Sequence, residues 1–231
     1  MSLLTETPPS SLLTGEADLR DALSRVIRFL HAQGWTPATS SNFSARIPGG
    51  FLVSASGLDK ADWQPEQFLH VNHEGHPVDP GEARRPSAET LLHATVYDIR
   101  PDVGAVLHTH SVNATVLSRR YAQAGLITLT GFEILKGLSG IHTHEAMVSL
   151  PVYPNSQEMT VLADRLRVDL HAGQATHGFL IAGHGLYAWG ATLADAKRHV
   201  EVFEFVMACL IQEAAMPPVQ PEWPVSGGCL S

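Results

Sequence analysis

At 231 residues, of which 44% are apolar, the chain is long enough to bury one sizeable core and too short for two, so a single globular domain is expected. A formal net charge of −8 leaves no basic stripe for nucleic acid. No run approaches the ~18 apolar residues of a membrane span. Charged residues are sparse at 16%, and the oddity is 13 histidines, of which only a few are expected to carry chemistry.

The opening MSLLTETPPSSLLTG has no basic region and no apolar stretch, so residues 1–14 read as a loose arm rather than a secretion signal. Cytoplasm is the expected location. Cys209 falls in a helical pattern and Cys229 in a Gly-rich tail, which suits reduced thiols. Residues 15–33 repeat apolar residues at helical spacing (Leu19, Leu23, Val26, Ile27, Leu30), with Glu16 and Asp18 in the first turn and Gly34 at the end. NFSARI and GFLVSA read as paired strands around Pro48-Gly49-Gly50, and FLHVN as a third strand.

Ser87 is a candidate N-cap for a helix to about Asp98. GAVLHTH reads as a buried strand, and Ser111 as the cap of a helix to about Gln123. LITLT and VSLPVYP are further strands, and Asn155 with Glu158 has capping-box spacing before a helix marked by Met159, Leu162, Leu166 and Leu170. HGFLIAGHGLYAWG reads as two strands joined by a Gly-His-Gly turn. Thr192 and Asp195 cap a long helix to about Ala215, with Val202, Phe205, Val206 and Leu210 on its apolar side. The chain thus divides into an arm (1–14), one catalytic-size domain (15–215) and a Pro/Gly-rich tail (216–231). A central, mainly antiparallel sheet with helices on both sides is the natural solution.

His108 and His110 stand two apart on a predicted strand, so both rings project from one face and can share an ion. Such a pair is weak evidence without a third ligand, and His184, between Gly183 and Gly185 at a strand end, supplies one. Three neutral imidazoles with an open fourth position are what catalytic zinc needs. A second HTH, at His142 and His144, has no apolar strand before it and reads as a solvated loop. His70, His73 and His76 lie in a Gly/Pro-rich stretch and read as a surface turn.

Three segments pair small hydroxyl residues with glycine or asparagine at predicted turns: Ser40-Ser41-Asn42, Ser54-Ala55-Ser56-Gly57 and Pro86-Ser87-Ala88. Backbone amides in such turns cradle phosphate oxygens, although each segment alone is also ordinary turn chemistry. Lys60 follows the second. Glu89, beside the Ser87 turn, is a candidate catalytic carboxylate, to share acid/base work or position metal-bound oxygens. Glu133, in TGFEILKG, has apolar neighbours that would raise its pKa toward acid/base use. Its spacing to Lys136 fits a surface ion pair equally well.

The order SNFS, SASG, PSAE, LHTHS, GHGLYAWG and a long C-terminal helix resembles the class II aldolase/adducin family over roughly residues 18–212. Within it, FEILKG and the full GHGLYAWG string are similar to the branch that removes water from a methylthio-substituted ketose phosphate in methionine salvage. The resemblance implies an α/β/α sandwich assembled as a homotetramer and one Zn2+ per subunit on His108, His110 and His184. It also implies an acid/base Glu133, and a small phosphorylated sugar held near Ser41, Asn42, Ser56, Gly57 and Ser87. Some dehydratases of this kind carry cysteine where this chain has Glu89, whereas aldolases carry glutamate. An aldolase or 4-epimerase is therefore the rival reading, and a non-catalytic adducin-like module the third.

Overall fold

The computed structural model describes residues 15–217; the expected arm at 1–14 and nearly all of the expected tail lie outside them. The helices are α1 (Glu16–Ala32), α2 (Thr90–Ile99), α3 (Val112–Arg120), α4 (Met159–His171) and α5 (Leu193–Ala215). The strands are β1 (Asn42–Ile47), β2 (Gly50–Ser54), β3 (Phe68–Val71), β4 (Ala105–Thr109), β5 (Leu126–Leu129), β6 (Val148–Tyr153), β7 (Gly178–Ile181) and β8 (Gly185–Gly190). They form one sheet ordered β3-β2-β1-β4-β8-β7-β6-β5. Only β6 and β7 run parallel. The expected mainly antiparallel sheet is present.

The central strands explain their own sequences. Every residue of β4 and of β8 is buried, so AVLHT and GLYAWG are almost continuously apolar, as strands covered on both faces must be. Directly paired residues share a face, so Ser44, Val106 and Trp189 lie on one side, as do Asn42, His108 and Tyr187. On this side His93 of α2 meets Ser44 and Tyr187. Phe203 of α5 lies over Gly178, whose partner Ala188 points to the opposite side. Helices thus flank both faces, with α2 packed on α4 and α3 on α5.

Helix ends follow local chemistry. Thr192 and Asp195 form the expected reciprocal capping box, and Ser111 Oγ accepts from the Ala114 amide; such caps contribute about 0.5–2 kcal/mol each. Four expectations need correction. Ser87 does not cap α2: its hydroxyl accepts from the Glu89 amide in a turn, and the helix begins at Thr90 with Glu89 at the N-cap. Asn155 makes no capping box; α4 starts after Glu158, whose amide is held by Ser156 Oγ. Phe205 is 54% exposed, because Val202 and Val206 already fill the inward side of α5. The helix after Ser111 also ends sooner than expected, at Arg120.

Glu204 of α5 is the one acidic side chain among the buried described residues. Burial pushes its carboxyl up to about 7 from 4.5, against the opposing Ser111 and Asn113 side chains. A raised folded-state pKa means that the folded protein holds an extra proton between those values. Stability therefore declines as pH rises through that window and stays reduced above it. Glu204→Gln should raise the Tm at pH 8, by roughly 3 kcal/mol of stability at most, and change little near pH 4.5. An equal loss of Tm at both pH values, read by thermal unfolding, would contradict this.

Candidate metal centre and anion cavity

The register of β4 against β8 builds the centre. His108 lies opposite Tyr187 and Thr109 opposite Leu186, so the turn before β8 brings His184 beside the end of β4. Gly183 takes φ +66, and a Cβ on Gly185 would come within 2.0 Å of the Thr109 carbonyl and 3.1 Å of His108 Cε1. The left-handed backbone thus favours glycine at 183, and the close approach requires it at 185.

His108 Nδ1–H donates to the Leu186 carbonyl at 2.9 Å, and the ring stacks on Tyr187 at 3.9 Å between centroids. That tautomer turns a lone pair on Nε2 toward His110, whose Nε2 stands 2.8 Å away. Such an approach needs a proton or a metal ion between the nitrogens. His184 Nε2 lies 3.0 Å from Glu89 Oε1. One potential ligand atom from each of Glu89, His108, His110 and His184 falls within 4.8 Å of the others.

Burial keeps His108 and His110 neutral: it depresses His108 well below its usual range and, with His184 nearby, brings His110 down to about 4. Burial opposes ionisation of Glu89. The hydrogen bonds from His184 and from the Asn42 amide overcome it and hold the carboxyl well below the usual carboxylate range. Neutral imidazoles and a carboxylate are the donor set of a divalent transition-metal ion, so the residues present fit one.

The three small-residue segments converge beside this cluster. Ser56 N donates to the Arg85 carbonyl at 2.9 Å, joining the second segment to the third. Ser41, Asn42, Ser56, Gly57 and Ser87 line one cavity of about 110 Å³ with Glu89 and His110. Ser41 adopts φ +74, and its buried hydroxyl has no partner, as expected of an atom kept for a ligand. The Asn42 amide is already engaged: Nδ2 donates to Glu89 Oε2 at 2.6 Å and Oδ1 meets His93.

Two sequence expectations change. Lys60 is fully buried and does not line the cavity. Its ammonium donates to the Leu58 carbonyl at 2.6 Å and lies over the Trp63 ring, and burial lowers it to about 8. Glu133 is not in an apolar setting. Its side chain is 70% exposed and bonded to Lys136 at 2.6 Å, which holds its carboxyl below the usual range. It lies in a separate depression with Phe132, Ile134 and Phe205. His142 and His144 are exposed, as are His73 and His76, and none joins a ligand cluster among the described residues. Glu89 stands at the imidazoles, where its expected place beside the metal-bound oxygens puts it, but sequence reasoning passed over His93, Ser44 and Tyr97 behind Asn42. The signal was there in Glu89, His93 and Tyr97 at helical steps of four.

Residues 21–211 match the Class II Aldolase and Adducin N-terminal domain, and the chain belongs to that family. A methylthioribulose-1-phosphate dehydratase of Sorangium cellulosum (strain So ce56) is 47% identical over 195 residues, covering 84% of this chain and 92% of the relative. The enzyme of the same name from Picosynechococcus sp. is 44% identical over 200 residues, covering 86% and 94%. Among solved structures, L-fuculose-1-phosphate aldolase from Thermus thermophilus superimposes with a TM-score of 0.68 at 27% identity, covering 87% of this chain and 97% of that one.

Removing any one of the three imidazoles should empty the centre. His108→Ala, His110→Ala and His184→Ala each lower bound metal well below one ion per chain, whereas His142→Ala leaves it unchanged. Elemental analysis of the purified variants checks this, and the reverse pattern would reject the assignment.

Proposed function

We propose that the chain is a methylthioribulose-1-phosphate dehydratase, converting 5-methylthioribulose 1-phosphate to 2,3-diketo-5-methylthiopentyl 1-phosphate and water in methionine salvage. The observation that carries it is the junction of three imidazoles and Glu89 with the Ser41–Ser56–Ser87 cavity, in a chain about 45% identical to enzymes of that name. His108, His110 and His184 would hold Zn2+, with the Glu89 carboxylate beside them. A zinc ion there supplies Lewis acidity to the C2 carbonyl and C3 hydroxyl oxygens, acidifying the C3 proton.

The other steps belong to the protein. Ser41, Ser56 and Ser87 anchor the phosphate through their hydroxyls and Gly57 through its backbone amide, and Lys60 supports them with charge rather than by contact. Dehydration removes a proton from C3 and returns one to the departing C4 hydroxyl; the resulting enol becomes the diketone. Glu89, inside the cavity, orients the sugar hydroxyls and shares the proton transfers. Glu133 takes the C3 proton, but its exposed position in the single chain means that it must do so in the cavity of a neighbouring subunit. The exposed Ile134 and Phe205 beside it suit a subunit interface. A homotetramer supplies that arrangement.

One observation favours the rival aldolase reading: the carboxylate at the imidazoles is Glu89, the residue type aldolases carry there. Products separate the two readings. The zinc-loaded protein should release water from methylthioribulose 1-phosphate, seen by mass, without retro-aldol fragments. Retro-aldol fragments in its place would support the aldolase.

Loss of a positioned general base costs ~10²–10⁴ in rate. Glu133→Gln should show that loss while keeping its metal, and Glu89→Gln should lose both turnover and metal affinity. If Glu133 serves a neighbour, mixed tetramers of the two inactive variants regain turnover, because some sites receive both parent carboxylates. Near-normal turnover of Glu133→Gln would remove its role, and mixed tetramers no better than either variant would confine both residues to one subunit. At the anion cavity, Ser87→Ala should raise KM more than it lowers kcat; an unchanged KM would remove Ser87 from phosphate binding.

A further inference from the structure

Behind Glu89 a file of buried polar side chains runs away from the metal centre between β1 and α2. Asn42, Ser44 and Arg46 project from one face of β1 at strand spacing, and Glu89, His93 and Tyr97 lie along one side of α2 at steps of four. The two rows mesh. Asn42 lies between Glu89 and His93, Ser44 between His93 and Tyr97, and the Arg46 guanidinium stands over the Tyr97 ring at 4.7 Å while donating to the Tyr97 carbonyl. Asn42, Ser44, His93 and Tyr97 are all buried, so each bond must be made by the protein itself.

The direction of every bond in this file follows from its end. A carboxylate only accepts, so Asn42 must turn Nδ2 toward Glu89 Oε2, at 2.6 Å. Its Oδ1 then faces His93 Nε2 at 2.5 Å, so that nitrogen carries the hydrogen. Burial lowers the His93 imidazole to about 3, so it is neutral and its Nδ1 can only accept. Ser44 must therefore donate to Nδ1, at 2.7 Å. That spends its single proton, and Tyr97 OH must donate to Ser44 Oγ, at 2.8 Å. The Val106 carbonyl, 3.5 Å from Ser44 Oγ, is left as a long contact.

We propose that His93 is a positioning residue for the reaction: held as its Nε2–H tautomer by Ser44 and Tyr97, it fixes the Asn42 amide so that Oε2 of Glu89, 3.7 Å from His108 Nε2, is tied down and Oε1, 3.0 Å from His184 Nε2, is the oxygen left to serve the sugar. The file is a one-way chain of donors and not a proton wire, because the Asn42 amide has no titratable proton to pass on. Because Oε2 already accepts from Asn42, Oε1 is the oxygen that takes up and releases a proton. With the opposite His93 tautomer two lone pairs would face each other at Asn42 Oδ1, and the amide would turn its oxygen to Glu89. The proposal rests on the dehydratase reading for its rate measurements, but its tautomer assignment does not.

The test has two arms. In the 15N-labelled, metal-loaded protein, long-range 1H–15N correlation at neutral pH should show His93 with a protonated Nε2 and an unprotonated Nδ1. An Nδ1–H or doubly protonated ring overturns the proposal whatever the protein catalyses, and this arm needs no variant to fold.

In the second arm, His93→Leu should lower kcat about 10–100-fold, the range typical of residues that orient a ligand from behind. KM should change far less, and bound metal should remain near one per chain. His93→Gln, which can still donate to Asn42 and accept from Ser44, should recover most of the lost kcat. If the two variants lose kcat equally, or if His93→Leu keeps parent activity, His93 only packs the core and the proposal falls. Absence of water loss in the parent protein would instead reject the dehydratase reading and leave the tautomer result standing.

Discussion

Pairing of Thr109 with Leu186 places the end of β4 beside the turn that carries His184. The rest of the centre depends on that approach. The space between the Thr109 carbonyl and residue 185 admits no Cβ, so only glycine allows β8 to come this near. The same register puts Tyr187 flat against His108, while the Leu186 carbonyl selects the tautomer that turns Nε2 inward. A displacement of one residue in this pairing would send His108 to the other face of the sheet. The burial of both strands on both faces makes such a slip costly.

The local electrostatics differ from those of the whole chain. A protein of net charge −8 is a poor global attractor for a sugar phosphate. Its small cavity is lined by the hydroxyls of Ser41, Ser56 and Ser87 and by Gly57, and the buried Lys60 ammonium lies close enough to act on His110. The Lys60 charge is felt at His110, whose protonation it disfavours. One segment thus serves two purposes: Lys60 braces its own loop through the Leu58 carbonyl and biases the site toward neutral, metal-binding imidazole. Glu89 is the negative counterpart, and Asn42 is the hinge between the two halves of the site, lining the anion cavity while its amide holds the carboxylate.

Legibility in the sequence followed the range of the interactions. The HxH pair and the Gly-His-Gly turn were readable because a strand and its tight turns impose spacing within a few residues. The capping box at Thr192 and Asp195 is local in the same sense, and so were nearly all the strands. Asn155 had the right spacing and failed, because Ser156 competed for the Glu158 amide. Glu133 was misplaced because its apolar sequence neighbours do not cover it: Leu135 turns into the core, while Ile134 and Glu133 itself turn outward. Lys60 was expected at the phosphate, yet its nearest acceptors are carbonyls in its own loop. The Glu89–Asn42–His93 contacts join residues some 50 positions apart. They become readable only once β1 is known to lie under α2.

The central claim is that β4 and the GHG turn hold a single zinc ion on His108, His110 and His184. Crystallographic anomalous scattering measured on both sides of the zinc absorption edge, on protein grown with zinc, tests it directly. The account predicts one strong peak per chain within bonding distance of the three Nε2 atoms. A peak at His142 and His144, or metal-grown protein with no peak between His108 and His184, would contradict it.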